Sequence, residues 1–158
     1  MISRIIFLVC VALVIQQVVV LPCNFERHTV IGSSMEPTLI HKDKMLTMSK
    51  AFGINRYDIV VIRVDGFGYK NGLVKRVIGI PGDTLEFKNE KVYCNGKELE
   101  TKFMDESKSS TDSSLSTVTL GADEYFVLGD HRTVSEDSRF FGPIKEENIE
   151  GVVIWISR

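Results

Sequence analysis

Short runs of apolar and β-branched residues, separated by glycine-containing turns, fill most of the chain beyond residue 43 and constrain its fold more than any other feature. Valine and isoleucine favour strands because their branched side chains fit a pleated, half-buried surface. Asn71-Gly72 and Asn95-Gly96 are typical hairpin turns between such runs. The runs predicted as strands are residues 44–48, 58–64, 73–78, 83–87, 91–94, 124–128 and 151–157. With almost no helical periodicity between them, the sequence predicts a mainly β domain.

An uncharged apolar segment, residues 5–21, precedes this domain. Its length is at the lower end of what crosses a lipid bilayer as a helix. A removed secretory signal also begins in this way, but the residues that follow lack the small-x-small pattern of a cleavage site. We therefore favour an uncleaved transmembrane anchor, at residues 5–22. Because Arg4 precedes it, the positive-inside tendency places residues 1–4 in the cytoplasm and residues 23–158 outside.

Net charge and the positions of histidine and cysteine argue against a nucleic-acid partner and a metal site. The formal net charge is -2, whereas a protein that binds nucleic acid normally carries a basic face. The histidines are scattered and the chain has no CxxC pair, so we expect no metal. Cys10 lies in the apolar segment, which leaves Cys23 and Cys94 as the conceivable disulfide; unpaired thiols are the simpler interpretation.

A turn of small residues at positions 32–39 contains Ser34, a candidate nucleophile. A serine hydroxyl attacks only if an adjacent base removes its proton. Glycine and serine also concentrate in turns for purely conformational reasons, so this segment alone does not separate the two interpretations. The question for the remaining sequence is where the base lies.

Lys75 is the candidate base, because it interrupts an apolar strand at residues 73–78. Strand alternation gives it apolar neighbours whichever face is buried. Burial lowers the pKa of lysine from about 10.4, and a pKa of roughly 7–8 makes it a usable general base. The alternative is a lysine whose stem covers apolar surface while its ammonium group reaches water. Arg76 is interpreted as an exposed or salt-bridged neighbour.

The loop at residues 129–139 follows a predicted strand and is polar throughout. Its complementary charges are Asp130, Arg132, Asp137 and Arg139. Charge-assisted pairs between them would make the loop rigid. A rigid loop can direct the hydroxyl of Ser135 or Ser138 at the lysine amine, as the third group of a catalytic triad does.

Four segments, in this order, resemble the motifs of the bacterial type I signal peptidases, the membrane-anchored Ser/Lys proteases that remove signal peptides from exported proteins. They are Ser34-Met35-Glu36-Pro37-Thr38-Leu39, Tyr57-Asp58-Ile59-Val60-Val61, Lys75-Arg76-Val77-Ile78-Gly79-Ile80-Pro81-Gly82-Asp83 and the loop at residues 129–139. Tyr57 stands where the family has glycine, and His131 stands where it has asparagine.

The resemblance implies a role for individual residues. Ser34 is expected to be the nucleophile and Lys75 the general base. Ser135 is expected to orient the lysine amine, with Asp137 and Arg139 as a supporting salt bridge.

The resemblance also implies how the oxyanion and the substrate are bound. Some members carry a serine hydroxyl two positions before the nucleophile, where this chain has Gly32, so backbone N–H groups of Ser34 and Gly32 are expected to stabilise the oxyanion. Met35 and Leu39 are expected to line pockets for small substrate side chains. No cofactor is expected.

The implied fold is a mainly β catalytic core with a small inserted β region, placed at residues 86–121. Within it, residues 105–119 are rich in serine, threonine and aspartate and are interpreted as an exposed loop. The implied function is removal of N-terminal signal peptides after Ala-x-Ala sites, on the outer side of a bacterial cell membrane. The expected partners are signal peptides of preproteins and the lipid bilayer.

Three other interpretations were weighed. Self-cleaving SOS-type repressors use a Ser/Lys dyad but are soluble and carry a DNA-binding helix-turn-helix. Mitochondrial inner-membrane peptidases share the motifs, but no Arg-rich and Ser-rich segment precedes residues 5–21 here. A pilus or surface-protein assembly factor of the same family would hold substrates without cutting them, and such forms are expected to lack the serine or the lysine.

Overall fold

The computed structural model describes residues 5–7, 10, 24–64, 72–88, 91–100 and 117–158. Within these ranges the chain forms β1 (Phe25–Thr29), β2 (Lys44–Met48), β3 (Ile59–Ile62), β4 (Leu73–Gly79), β5 (Thr84–Lys88), β6 (Lys91–Cys94), β7 (Lys97–Glu98), β8 (Thr117–Thr119), β9 (Glu124–Leu128), β10 (Ile144–Lys145) and β11 (Ile149–Ser157). The helical turns are the short helix α1 (Ser138–Phe141) and 3₁₀ turns at Lys50–Phe52 and Glu146–Asn148. The predicted mainly β class is confirmed.

The larger sheet has seven strands in the order β1-β2-β11-β3-β4-β9-β10. All of its pairs are antiparallel. In the pairing of β3 with β4, Val60 lies opposite Lys75 and Ile59 lies opposite Arg76. Strand β9, which leads into the loop at 129–139, is the other neighbour of β4. The strand with the candidate base is therefore held on both sides.

β3 forms the buried centre of this sheet. All four of its residues are buried. Val60 and Ile62 pack into one apolar cluster, on one face of the sheet. Ile59 and Val61 pack into a second cluster on the other face. A strand buried on both faces has a continuous apolar sequence, and the β-branched residues of this run were the basis for predicting it as a strand.

A smaller sheet, β7-β6-β5-β8, is formed by residues between 84 and 119. One expectation for this region was wrong: residues 105–119 are not all loop, since Thr117–Thr119 forms β8 and pairs with β5. A polar, three-residue edge strand has too little apolar content to be seen in a sequence pattern. The predicted loop residues 105–116 lie outside the described part of the chain.

The predicted anchor at residues 5–22 lies almost entirely outside the described residues; residues 5–7 and 10 are helical. Among the residues that the structure describes, no helix has the length and apolar character needed to cross a membrane. Cys94 is a buried free thiol, and Cys23 lies outside the described ranges.

Candidate active site

The Ser34 turn is a tight loop closed at its base by backbone hydrogen bonds. The Val30 N–H donates to the carbonyl of Asp43, and the Lys42 N–H donates back to the carbonyl of Val30. Gly32 has a φ of 98°, a left-handed conformation that disfavours any residue with a Cβ. Met35 and Leu39 anchor the loop in the core, at 2% and 0% exposure. Packing and backbone bonds thus fix the position of Ser34.

Lys75 meets Ser34 directly. The Nζ of Lys75 donates to the Oγ of Ser34 at 2.8 Å. The lysine is only 2% exposed, in the middle of β4. Burial lowers the pKa of Lys75 to about 8, with the charge of Asp137 opposing that change and the charge of Arg139 adding to it. The lysine predicted to be desolvated is therefore buried, and it lies within hydrogen-bonding distance of the candidate nucleophile.

The loop at residues 129–139 packs on the backbone of Ser34. The N–H of His131 donates to the Ser34 carbonyl at 3.0 Å. Gly129 has no room for a side chain: a Cβ there would lie 2.2 Å from Ser135 Oγ and 2.5 Å from the Ser34 carbonyl oxygen. Real Cβ contacts are never this short, so glycine is required for the loop to approach the nucleophile this closely.

Asp137 and Arg139 hold this loop in shape. Arg139 Nε donates to Asp137 Oδ1 at 2.8 Å, and the aspartate is fully buried. The other oxygen of Asp137 accepts from the Gly129 N–H at 3.0 Å. Arg139 also donates to the carbonyls of Arg132 and Ser135. The expected ion pair is present, and it connects both ends of the loop.

Ser135 is 3% exposed and lies against Gly129, next to the site. Its Oγ has no hydrogen-bond partner among the described residues. The expected contact with the Lys75 amine is thus not formed in this structure, and the orienting role of Ser135 stays a prediction. Ser138, the other hydroxyl considered, is used elsewhere, since its Oγ accepts from the Val127 N–H.

Sequence reasoning missed a buried network on the opposite side of β4. Arg76 Nε and Nη2 donate to Asp130 Oδ1 and Oδ2, at 2.8 and 2.6 Å. Thr38 Oγ1 donates to Asp130 Oδ2 at 2.5 Å. These residues connect the Ser34 turn, the Lys75 strand and the 129–139 loop. Of the two interpretations of Arg76, the salt-bridged one is confirmed. Its partner was not predicted, since Asp130 was expected to pair with an arginine of its own loop; one of these, Arg132, donates to the Gly129 carbonyl.

A cleft of about 390 Å³ opens beside Ser34. One wall is the chain from β1 to Ser34, and the other is the start of β4. Its lining residues are His28, Thr29, Val30, Ile31, Gly32, Ser34, Met35, Met45, Val61, Gly72, Leu73 and Val74. Met35 lines the cleft, as expected of a substrate-pocket residue. Leu39 packs in the core beneath it and is not among the lining residues.

The two backbone donors expected for the oxyanion differ in their surroundings. The Gly32 N–H donates to Nδ1 of His41 at 3.3 Å. The Ser34 N–H has no backbone acceptor among the described turns and loops. Ser34 is therefore the better placed of the two to donate to a substrate oxygen.

A family model described as signal peptidase, peptidase S26, matches residues 1–157. This chain belongs to that family. As an S26 signal peptidase it is a serine peptidase, and so a hydrolase. The type I signal peptidase resemblance and the enzyme class inferred from the sequence are thereby confirmed.

Relatives of this S26 peptidase match over most of their length. Signal peptidase I V of Bacillus subtilis strain 168 is 39% identical, over 93% of this chain and 94% of the relative. Signal peptidase IB of Staphylococcus aureus strain COL is 32% identical, over 80% of this chain and 74% of the relative. The crystal structure of a signal peptidase I from Enterococcus faecalis V583 matches with a TM-score of 0.52 and 31% identity, covering 65% of this chain and 97% of that chain.

Proposed function

We propose that this chain removes N-terminal signal peptides from exported preproteins after Ala-x-Ala sites, with Ser34 as nucleophile and Lys75 as general base. The observation that carries the proposal is the 2.8 Å contact between Lys75 Nζ and Ser34 Oγ, made by a lysine that is 2% exposed. A pKa of about 8 leaves an appreciable neutral fraction near neutral pH. A neutral amine at this distance is able to accept the hydroxyl proton.

The mechanism follows from this geometry. Neutral Lys75 takes the Ser34 proton as Oγ attacks the scissile carbonyl, and the N–H of Ser34 donates to the oxyanion. The protonated lysine then gives its proton to the leaving amine, which departs and leaves an acyl-enzyme. Lys75, neutral again, removes a proton from water, and the resulting attack releases the acyl group and restores Ser34.

The substrate is proposed to bind as an extended segment between the two walls of the cleft, pairing with exposed backbone by β-augmentation. The cleft floor is formed by the apolar residues Met35, Met45 and Val61, each of which is at most 2% exposed. Met35, adjacent to the nucleophile in the chain, limits the side chain next to the cut to a small one. Leu39 packs beneath the cleft floor, in the same core cluster as Met35.

We also propose that residues 5–22 anchor the peptidase in a bacterial cell membrane, with the catalytic domain on the outer side. The uncharged run at 5–21 and the preceding Arg4 support this placement. N-terminal sequencing of the mature protein tests it: an N-terminus near residue 24 would show that the segment is removed.

The central experiment is cleavage of a preprotein with an Ala-x-Ala site by the full chain in mild detergent. Ser34→Ala and Lys75→Ala should each abolish turnover without unfolding the protein. Ser33→Ala removes the neighbouring hydroxyl and Lys97→Ala removes an exposed lysine of the smaller sheet, so both should cleave normally. Retained cleavage by Ser34→Ala or Lys75→Ala contradicts the dyad. A wild-type chain that binds the preprotein and never cuts it would support the assembly-factor alternative.

A further inference from the structure

The cleft contains one ionisable side chain that the proposed mechanism does not use. Of the lining residues that the structure describes, His28 is the one histidine, and none is an aspartate, glutamate, lysine or arginine. It lies in β1 opposite Met45, which places it on the same face of the sheet as that buried cleft residue. The chain runs from His28 along one wall of the cleft to Ser34. A substrate segment extending away from Ser34 along this wall therefore approaches His28.

The hydrogen bonds around His28 indicate which ring nitrogen is available. Nε2 lies 3.0 Å from Oγ1 of Thr47, a residue only 3% exposed. The Thr47 hydroxyl donates to the carbonyl of Glu26, at 3.4 Å. We assign the Thr47 hydrogen to that carbonyl, so Oγ1 accepts from Nε2–H; in this tautomer of the neutral imidazole, Nδ1 carries the lone pair. The nearest acidic group, Glu26 Oε2, faces Nε2 at 3.7 Å.

Nδ1 makes no hydrogen bond with any residue in the described ranges, although the side chain is only 21% exposed. Most of the side chains that line the cleft with His28 are apolar, including Val30, Met45 and Val61, and the polar ones are Thr29 and Ser34. A substrate that fills the cleft with apolar groups would remove Nδ1 from water and leave it without a donor, which is unfavourable. A substrate that brings a hydroxyl or amide N–H avoids this loss.

We propose that His28 is a specificity-determining residue, whose Nδ1 accepts a hydrogen bond from serine, threonine or asparagine at the third or fifth position before the cut. This inference rests on the proposed cleavage function. Alternate side chains of an extended peptide point to the same face. With the first residue before the cut facing Met35, the third and the fifth point to the same side of the cleft, where Met45, the cross-strand partner of His28, also lies.

The test is a competition assay with the full chain, using peptide pairs that differ only by valine or serine at one of these positions. Serine should be preferred by about three- to tenfold in kcat/KM at one of them, the range of one neutral hydrogen bond. His28→Phe should abolish the preference, and His28→Asn, which keeps an acceptor near the position of Nδ1, should retain part of it. Tyr93→Phe, in the smaller sheet, is the control and should leave it unchanged.

Two outcomes overturn the proposal: equal rates for both peptides at both positions, or a serine preference that survives in His28→Phe. Affinity of the same peptides for the Ser34→Ala variant gives a second measurement that needs no turnover. If no peptide is cleaved at all, the proposed function fails. The role of His28 is then still decided by affinity: the serine-to-valine affinity ratio is measured in Ser34→Ala and in the same variant with His28→Phe added.

Discussion

Arg76 holds Asp130 through two hydrogen bonds, at 2.8 and 2.6 Å, between side chains that are 9% and 1% exposed. The two residues belong to segments far apart in the chain, the lysine strand and the loop that packs on Ser34. Their contact, with Thr38 on the same carboxylate, connects the turn that carries Ser34 to the strand that carries Lys75.

We expect Asp130→Asn to lower the free energy of unfolding by about 3–5 kcal/mol, because it leaves the guanidinium of Arg76 buried without its counter-charge. Cleavage should fall with it, as Ser34 and Lys75 lose their alignment. Denaturation and kcat/KM measurements on the full chain check both effects. Glu98→Gln disrupts the exposed pair with Lys91 and serves as control; since solvent screens this pair, stability should change little.

The cleavage rate should depend on the protonation of Lys75. In the proposed mechanism the neutral amine is the base, and its pKa is about 8; kcat/KM should therefore rise with pH, reach half of its maximum near pH 8 and level off above it. A pH–rate profile with an uncharged peptide substrate measures this rise of kcat/KM with pH. A profile that is flat between pH 6 and 9, with Ser34 still essential, would mean that another group takes the proton.

Lys75 should also make the free energy of unfolding rise with pH. Its pKa is about 8 when folded and 10.5 ordinarily, so between these values the unfolded chain binds more protons and rising pH favours the folded state through this group. At one pKa unit per about 1.4 kcal/mol, the change is about 3 kcal/mol. The stability advantage of Lys75→Met over wild type should thus shrink by about that much from pH 8 to pH 10.5, as measured by denaturation of both proteins. A constant difference contradicts the burial of a titrating lysine.

Gly129→Ala should remove activity by displacing the loop from Ser34. The added Cβ would lie 2.5 Å from the Ser34 carbonyl oxygen, which is backbone and has little freedom to move. We expect a loss of at least roughly 10²-fold in kcat/KM, the scale on which misplacement of reacting groups acts. Gly121→Ala is the matched control, since a Cβ there meets only the side chain of Glu124, and it should cleave like wild type.

Much of the fold was predictable because its signals are local. Strands at residues 44–48, 91–94 and 124–128 have the predicted bounds, since glycine or charged turns end each run sharply. β8 escaped prediction because a three-residue edge strand in which only Val118 is apolar shows no pattern without its neighbouring strand. β10, at Ile144–Lys145, has only two residues, which is too short for any pattern, and was also missed.

The candidate site also has features that local sequence predicts and features that it does not. The neighbours of Lys75 in its own strand were enough to predict that this lysine is desolvated, because that is a local property. The pairing of Arg76 with Asp130 joins residues 54 positions apart, and within the 129–139 loop Arg132 was an equally plausible partner by charge alone. The position of His28 in the cleft had no sequence signal, because a histidine in an edge strand is indistinguishable from a solvated one until the opposite wall of the cleft is known.

Because Lys75 and Arg76 are adjacent in β4, the contacts of both side chains depend on the register of this strand. Strand alternation directs the lysine to Ser34 and the arginine to Asp130, on opposite faces of one strand. A slip of one residue against β3 would exchange them. Ser34 would then face a guanidinium, which offers no lone pair for its proton, and Asp130 would face a lysine that cannot form the two-pronged contact. Under the proposed Ser34/Lys75 mechanism a misaligned chain is inert, so the protease acquires the ability to cut only once its central sheet has assembled correctly.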